Sequence, residues 1–176
     1  MTAYSESYVK TLRYLLGLEG GPSNHAWDPG GETAYGIARN KWPQYWENGR
    51  PNLEIAMVFY WQEFWVPMRM EMLNRQQVRA EVFEAGVNCG AVNGVRFVQK
   101  AYNLLKPEAW VSLVVDGKNG PKTIRAVNLM SSKYEDALLA GCNFFQADYY
   151  VRLPYDLKSN ALRGWFARRL TWTPTD

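Results

Sequence analysis

The chain of 176 residues is poor in the side chains that build metal centres and disulfide scaffolds: it has one histidine, His25, and two cysteines, Cys89 and Cys142. Two thiols cannot make the framework that staples a small secreted domain, and with a single imidazole they form a poor metal set. His25 has no neighbouring ligand at a useful spacing, which disfavours zinc-dependent chemistry. No metal and no cofactor is expected. No run of about 18 apolar residues occurs, so stable membrane insertion is not expected. The N-terminal stretch lacks a basic region, and its longest apolar run is Tyr14-Leu15-Leu16-Gly17-Leu18. A secretory signal peptide is therefore not expected. A long Lys/Arg block is also missing, which argues against a nucleic-acid partner.

What is present is enough apolar material, 47% of residues, for a real core, in one domain or two small lobes. Charge is uneven. Residues 1–85 carry 8 Lys/Arg and 10 Asp/Glu, whereas residues 86–176 carry 12 and 7. The basic half suits weak contact with an anionic cell-envelope polymer. Ordinary surface composition accounts for it equally well.

Helical periodicity runs through nearly the whole chain and predicts a mainly α class. Tyr8, Leu12, Leu15 and Leu16 recur at i, i+4, i+7 and i+8, a helix over 6–18 with Ser5 as N-cap. Gly20-Gly21-Pro22 stops it. Further helices are predicted over 53–65 (capped by Asn52), 76–86, 91–105, 121–131, 134–151 and 159–170 (capped by Ser159). Pro121 stands at N1 after the tight turn Asp116–Gly120. At most a very short β-hairpin is expected, around Thr33 to Ile37. No Pro-, Ser- or Gly-rich linker divides the halves, so a lobe over 1–75 and a lobe over 76–176 are expected to pack as one compact body. The two cysteines sit in apolar patterns and read as buried free thiols.

One constellation carries chemistry. Glu19 lies eleven residues after Tyr8, about 20° away around a helix, and so shares the apolar face. Desolvation and the negative end of the helix dipole both favour its neutral form. A carboxyl that keeps its proton near neutral pH suits a general acid. Asp28 follows in a polar loop between Trp27 and Pro29-Gly30-Gly31 and should stay ionised. A protonated carboxyl beside a carboxylate is the pair that glycoside hydrolysis uses. Thr33 and Tyr35 are placed to hold a water or a sugar hydroxyl. Read by spacing alone, a helix-end Glu and a turn-capping Asp are equally good descriptions.

Five tryptophans lie between residues 27 and 65. Trp42 with Trp46 and Trp61 with Trp65 have helical, core-like spacing. Trp27 and Tyr45 sit in loop-like context and are the better candidates to line a glycan groove. Asn88 and Asn93, flanking Gly90, offer amides suited to N-acetyl or peptide groups, or serve as helix caps.

The ordered motifs Glu19-Gly20-Gly21, Asp28-Pro29-Gly30-Gly31 and Thr33-Ala34-Tyr35-Gly36-Ile37 resemble the signature of the glycoside hydrolase family 108 N-acetylmuramidases, a lysozyme-like family of phage endolysins and bacteria. Pro22 and His25 depart from that signature. Phe83–Gly90, Asp116–Thr123 and Gly164–Arg169 are similar to the family's partner region, the type 3 predicted peptidoglycan-binding domain. The resemblance implies a lysozyme-like, two-lobed helical fold and a peptidoglycan-degrading enzyme. It implies Glu19 as the catalytic acid that cuts the β-1,4 bond between N-acetylmuramic acid and N-acetylglucosamine, with peptidoglycan glycan strands as partner. Asp28 matches the pattern as the assisting carboxylate. A lytic transglycosylase and a non-catalytic peptidoglycan-binding module are the alternatives. By analogy the expectation is a monomeric endolysin held in the host cytoplasm until another factor permeabilises the membrane. Retaining and inverting outcomes, set by carboxyl separations of about 5–5.5 Å or 6.5–9.5 Å, both stay open.

Overall fold

The computed structural model describes residues 4–18, 31–154 and 162–170. Among them the protein is mainly α, with six α-helices and one antiparallel hairpin of two strands. The chain divides into two compact units, Met1–Pro67 and Met68–Asp176.

The first unit begins with α1 (Glu6–Leu18). Ser5 caps it as predicted, its Oγ accepting the Tyr8 N–H at 3.1 Å. Tyr8, Leu12 and Leu15 are buried on one face. Strands β1 (Thr33–Ala34) and β2 (Ile37–Ala38) follow, with Thr33 opposite Ala38 and Ala34 opposite Ile37. A 3-10 turn over Pro43–Trp46 leads to α2 (Leu53–Tyr60), whose cap is Asn52, accepting the Ile55 N–H at 3.0 Å.

The helix predicted to reach residue 65 is α-helical only to Tyr60. It then widens into a π turn over Trp61–Trp65, where the Val66 N–H reaches back five residues to the Trp61 carbonyl at 3.0 Å. The widening lets Trp61 and Trp65 stack, with ring centroids 6.5 Å apart and planes inclined by 19°. The Tyr8 ring meets their edges at 4.9 and 5.1 Å, and its hydroxyl donates to the Met57 carbonyl. Edge and stacked pairs of this kind add about 0.5–1.5 kcal/mol each beyond area burial. The unit is held by an aromatic cluster rather than by a long helix interface.

The second unit contains α3 (Gln76–Cys89), α4 (Ala91–Leu105), α5 (Pro121–Arg152) and α6 (Leu162–Arg169). Helix α3 runs three residues beyond its predicted end, so a single residue, Gly90, separates it from α4. A Cβ on Gly94 would lie 2.5 Å from the Gly86 nitrogen, and one on Gly86 would lie 2.4 Å from the Met68 methyl. The α3–α4 corner thus closes because Gly94 brings no side chain against the α3 backbone, while at Gly86 the neighbour is the flexible end of Met68. The two helices predicted over 121–131 and 134–151 are one element broken at Tyr134 (φ −140°, ψ 45°), so the predicted interruption is a kink rather than a loop. The cap predicted at Ser159 lies outside the described residues. Cys89 and Cys142 are free thiols, both buried.

Candidate active site

Glu19, Trp27 and Asp28, with His25, lie outside the described residues, directly beyond the last described turn of α1 and before Gly31. The hairpin that follows them is described and carries both Thr33, in β1, and Tyr35, in its loop. Tyr35 and Gly36 form its two-residue loop, both with positive φ (51° and 76°), which matches the right-handed twist of the flanking strands. A tyrosine in this left-handed conformation costs about 1–2 kcal/mol. The buried Tyr60 helps to hold it there by donating from its hydroxyl to the Tyr35 carbonyl at 2.9 Å. The Tyr35 ring is left exposed. Thr33 is half-buried, and its hydroxyl donates to the Gly31 carbonyl at 3.3 Å. That bond leaves the oxygen's lone pairs as acceptors.

Tyr45 sits in the 3-10 turn. Its hydroxyl donates to the Glu63 carboxylate at 2.8 Å and lies 3.3 Å from Gln62 Oε1. Burial, then the bond to Glu63 and its charge, push the hydroxyl pKa well above the usual tyrosine range. The ring packs edge-on against Phe59 at 5.0 Å and Trp42 at 6.5 Å. Tyr45 also lines a concavity of about 320 Å³ with Gln44, Asn48, Glu54, Ile55 and Val58. None of these five neighbours is marked as a site residue by the sequence. Their meeting depends on the turn between the hairpin and α2, which has no periodic signature.

Trp46 and Trp65 are core residues, and Trp42 and Trp61 are half-buried in aromatic contacts. The core reading from helical spacing holds for Trp46 and Trp65 only, and neither pair lies in an α-helix.

In the second unit the singled-out polar residues serve the scaffold. Asn88 is half-buried in the last turn of α3, not in a loop, and is engaged within the protein. The Asn93 amide donates to the Cys89 carbonyl at 2.9 Å and so satisfies the end of α3. The turn Asp116–Gly120 is tied to α4 by the buried Gln99. Its Nε2 lies 3.0–3.2 Å from Asp116 Oδ1, the Lys118 carbonyl and Thr123 Oγ1, while its Oε1 accepts the Gly117 N–H at 2.9 Å. Asp116 also accepts the Lys118 N–H at 2.9 Å. The Gln99 bond, then the Lys118 bond, hold its carboxyl below the usual range. Asn119 donates to the Met68 carbonyl at 2.9 Å.

A polar cluster also crosses the core between α3 and α5. Gln146 donates to Glu84 at 3.0 Å and contacts the Tyr150 hydroxyl at 2.9 Å. Glu81 is buried, and desolvation, reinforced by Glu84 and opposed by Asn143, drives its pKa well up. Glu84 falls within the Phe83–Gly90 motif, whereas Glu81 and Gln99 carry no signature in the sequence. Among the described residues no group of three or more His, Cys, Asp and Glu is placed to hold a metal ion.

Comparison with known proteins assigns the two halves. The glycosyl hydrolase 108 model matches residues 12–90, which include Glu19, Asp28 and the hairpin. The predicted peptidoglycan domain model matches residues 93–170. The hydrolase match extends past Pro67 into α3, so the family boundary and the boundary between compact units do not coincide. No curated protein matches the chain. Among solved structures, the Brucella abortus SagA structure is similar in fold, with a TM-score of 0.69 at 22% identity, covering 92% of this chain and 88% of that one. The chain thus carries a glycosyl hydrolase 108 region over residues 12–90, followed by a predicted peptidoglycan domain over residues 93–170.

Proposed function

We propose that the protein is an N-acetylmuramidase that hydrolyses the β-1,4 bond between N-acetylmuramic acid and N-acetylglucosamine in peptidoglycan. The observation that carries this reading is the pairing of a glycosyl hydrolase 108 region with a peptidoglycan domain in one chain. Glu19 acts as the general acid: it protonates the glycosidic oxygen as the bond to the anomeric carbon breaks. Asp28 stabilises the positive charge that develops on the sugar or orients the incoming water. Thr33 and Tyr35 lie on the hairpin just beyond these two residues in the chain. There the Thr33 lone pairs and the exposed Tyr35 ring contact the water or a sugar hydroxyl. Trp27 and Tyr45 line the path of the glycan. Asn88 and Asn93 are not assigned a sugar contact, because Asn93 is committed to the end of α3 and Asn88 is engaged inside the fold.

The reaction is tested by digesting purified sacculi with the wild-type protein and weighing the released muropeptides. Hydrolysis predicts products that have gained one water and end in a reducing N-acetylmuramic acid. A 1,6-anhydro product would make the protein a lytic transglycosylase instead. Retention on sacculi without any released fragment would leave only a binding module.

A further inference from the structure

The concavity beside Tyr45 has the chemistry of a single-sugar subsite. Its volume, about 320 Å³, is at the small end of ligand pockets and suits one amino-sugar ring rather than an oligosaccharide. One side is the half-buried Tyr45, and Ile55 and Val58 add aliphatic surface. Three polar side chains complete it. Gln44 and Asn48 offer amide donors and acceptors, and Glu54 is an acceptor-only carboxylate in the first turn of α2. All three are exposed, and no intramolecular hydrogen bond of theirs is found among the described residues.

Tyr45 is fixed in advance. Its hydroxyl is held by Glu63 from the π turn, and its ring by Phe59. A ring immobilised before the ligand arrives loses little conformational freedom on binding. A fixed aromatic, an aliphatic wall and uncommitted amides match a neutral pyranose that carries both hydroxyls and an acetamido methyl.

We propose that this concavity is a subsite for an N-acetylated amino sugar of the glycan strand, with the C–H face of the ring against Tyr45, the acetamido methyl against Ile55 and Val58, and hydroxyls bonded to Glu54 and Asn48. The assignment of the sugar class rests on the peptidoglycan reading above. The placement rests on the side chains themselves.

The test is an NMR titration of the full-length Glu19→Gln protein with the β-1,4-linked trisaccharide of N-acetylglucosamine, run beside the de-N-acetylated trisaccharide. The expected result is amide shifts concentrated at Gln44, Tyr45, Asn48, Glu54, Ile55 and Val58. Affinity should fall about tenfold in Tyr45→Ala and about threefold in Glu54→Ala. The de-N-acetylated sugar should bind more weakly than the acetylated one. Asn48→Ala and Glu54→Ala alter exposed side chains, so they remain informative if Tyr45→Ala fails to fold. Shifts confined to other residues, or unchanged affinity in the Asn48 and Glu54 variants, would overturn the subsite. Lysis by the wild type that needs Glu19 but shows no shifts here would sink the subsite and leave the function standing. Sugar-induced shifts here without lysis would do the reverse.

Discussion

The two compact units use their polar side chains in opposite ways. In the first, the interior is aromatic, built on Tyr8, Phe59, Tyr60 and Trp65, and the amides and carboxylate of Gln44, Asn48 and Glu54 remain at the surface. In the second, carboxylates and amides are drawn inside. Gln99 ties down a turn, Asn93 ends a helix, and Glu81, Glu84 and Gln146 cross the core. An uncommitted polar group can meet a ligand; a committed one holds the backbone. Polar motifs of the second unit that look functional in the sequence are therefore mainly architecture. Those of the first are the ones to which the proposed chemistry is assigned.

Breaking the second unit should show first in folding. Gly94→Ala forces a Cβ onto the Gly86 backbone, an overpacking that costs about 1–3 kcal/mol or more. Thermal unfolding of the variant should shift down by several degrees, and an unchanged midpoint would mean that the corner can relax. Next is Gln99→Ala, which strips Thr123 and the Gly117 N–H of a buried partner and should cost about 1–3 kcal/mol. Urea denaturation reads this directly. If the turn is instead a ligand site, stability should barely move.

The buried Glu81 sharpens the comparison through pH. Its folded pKa lies above its ordinary value of 4.5, so the folded state holds the proton more tightly than the unfolded chain does. Its contribution to stability is complete below about pH 4.5, declines as pH rises, and is gone once the pH passes the folded value. Glu81→Gln should therefore unfold with a flatter pH dependence, and its advantage over the wild type should grow towards alkaline pH. Parallel curves would place the ionised form comfortably in the core. Asp116 titrates in the opposite sense: its lowered pKa adds stability above its ordinary value of 3.8, lost as pH falls through the folded pKa. The smallest effect is expected at the exposed pair Arg39–Glu32, 3.4 Å apart, where Arg39→Ala should change stability by less than about 1 kcal/mol.

Much of the local structure was legible because its causes are local. Ser5 and Asn52 cap helices three residues away, Pro121 opens one, and Tyr35-Gly36 makes a hairpin turn. The π turn was not legible, since Trp61 and Trp65 fit an α-helix equally well until their rings stack. The Gly86–Gly94 contact and the Gln99 network join residues 8 to 24 positions apart. No helical or strand period encodes such pairings. The tight turn at Asp116 was read correctly, but its anchor, a glutamine inside α4, looked like any amphipathic-helix residue. At the candidate site, motif order offers Glu19, Asp28, Thr33 and Tyr35 as candidates, and the structure describes only the last two. The concavity beside Tyr45 needed coordinates, because Asn48 and Ile55 share no pattern with Tyr45.

The most direct test of the first unit's assigned chemistry compares the clearance of a peptidoglycan suspension by wild type and Glu19→Gln at matched concentration, with thermal unfolding measured on both. Loss of a general acid should slow clearance by about 100-fold or more while the unfolding midpoint stays where it was. A folded Glu19→Gln variant that clears the suspension at the wild-type rate would contradict the account.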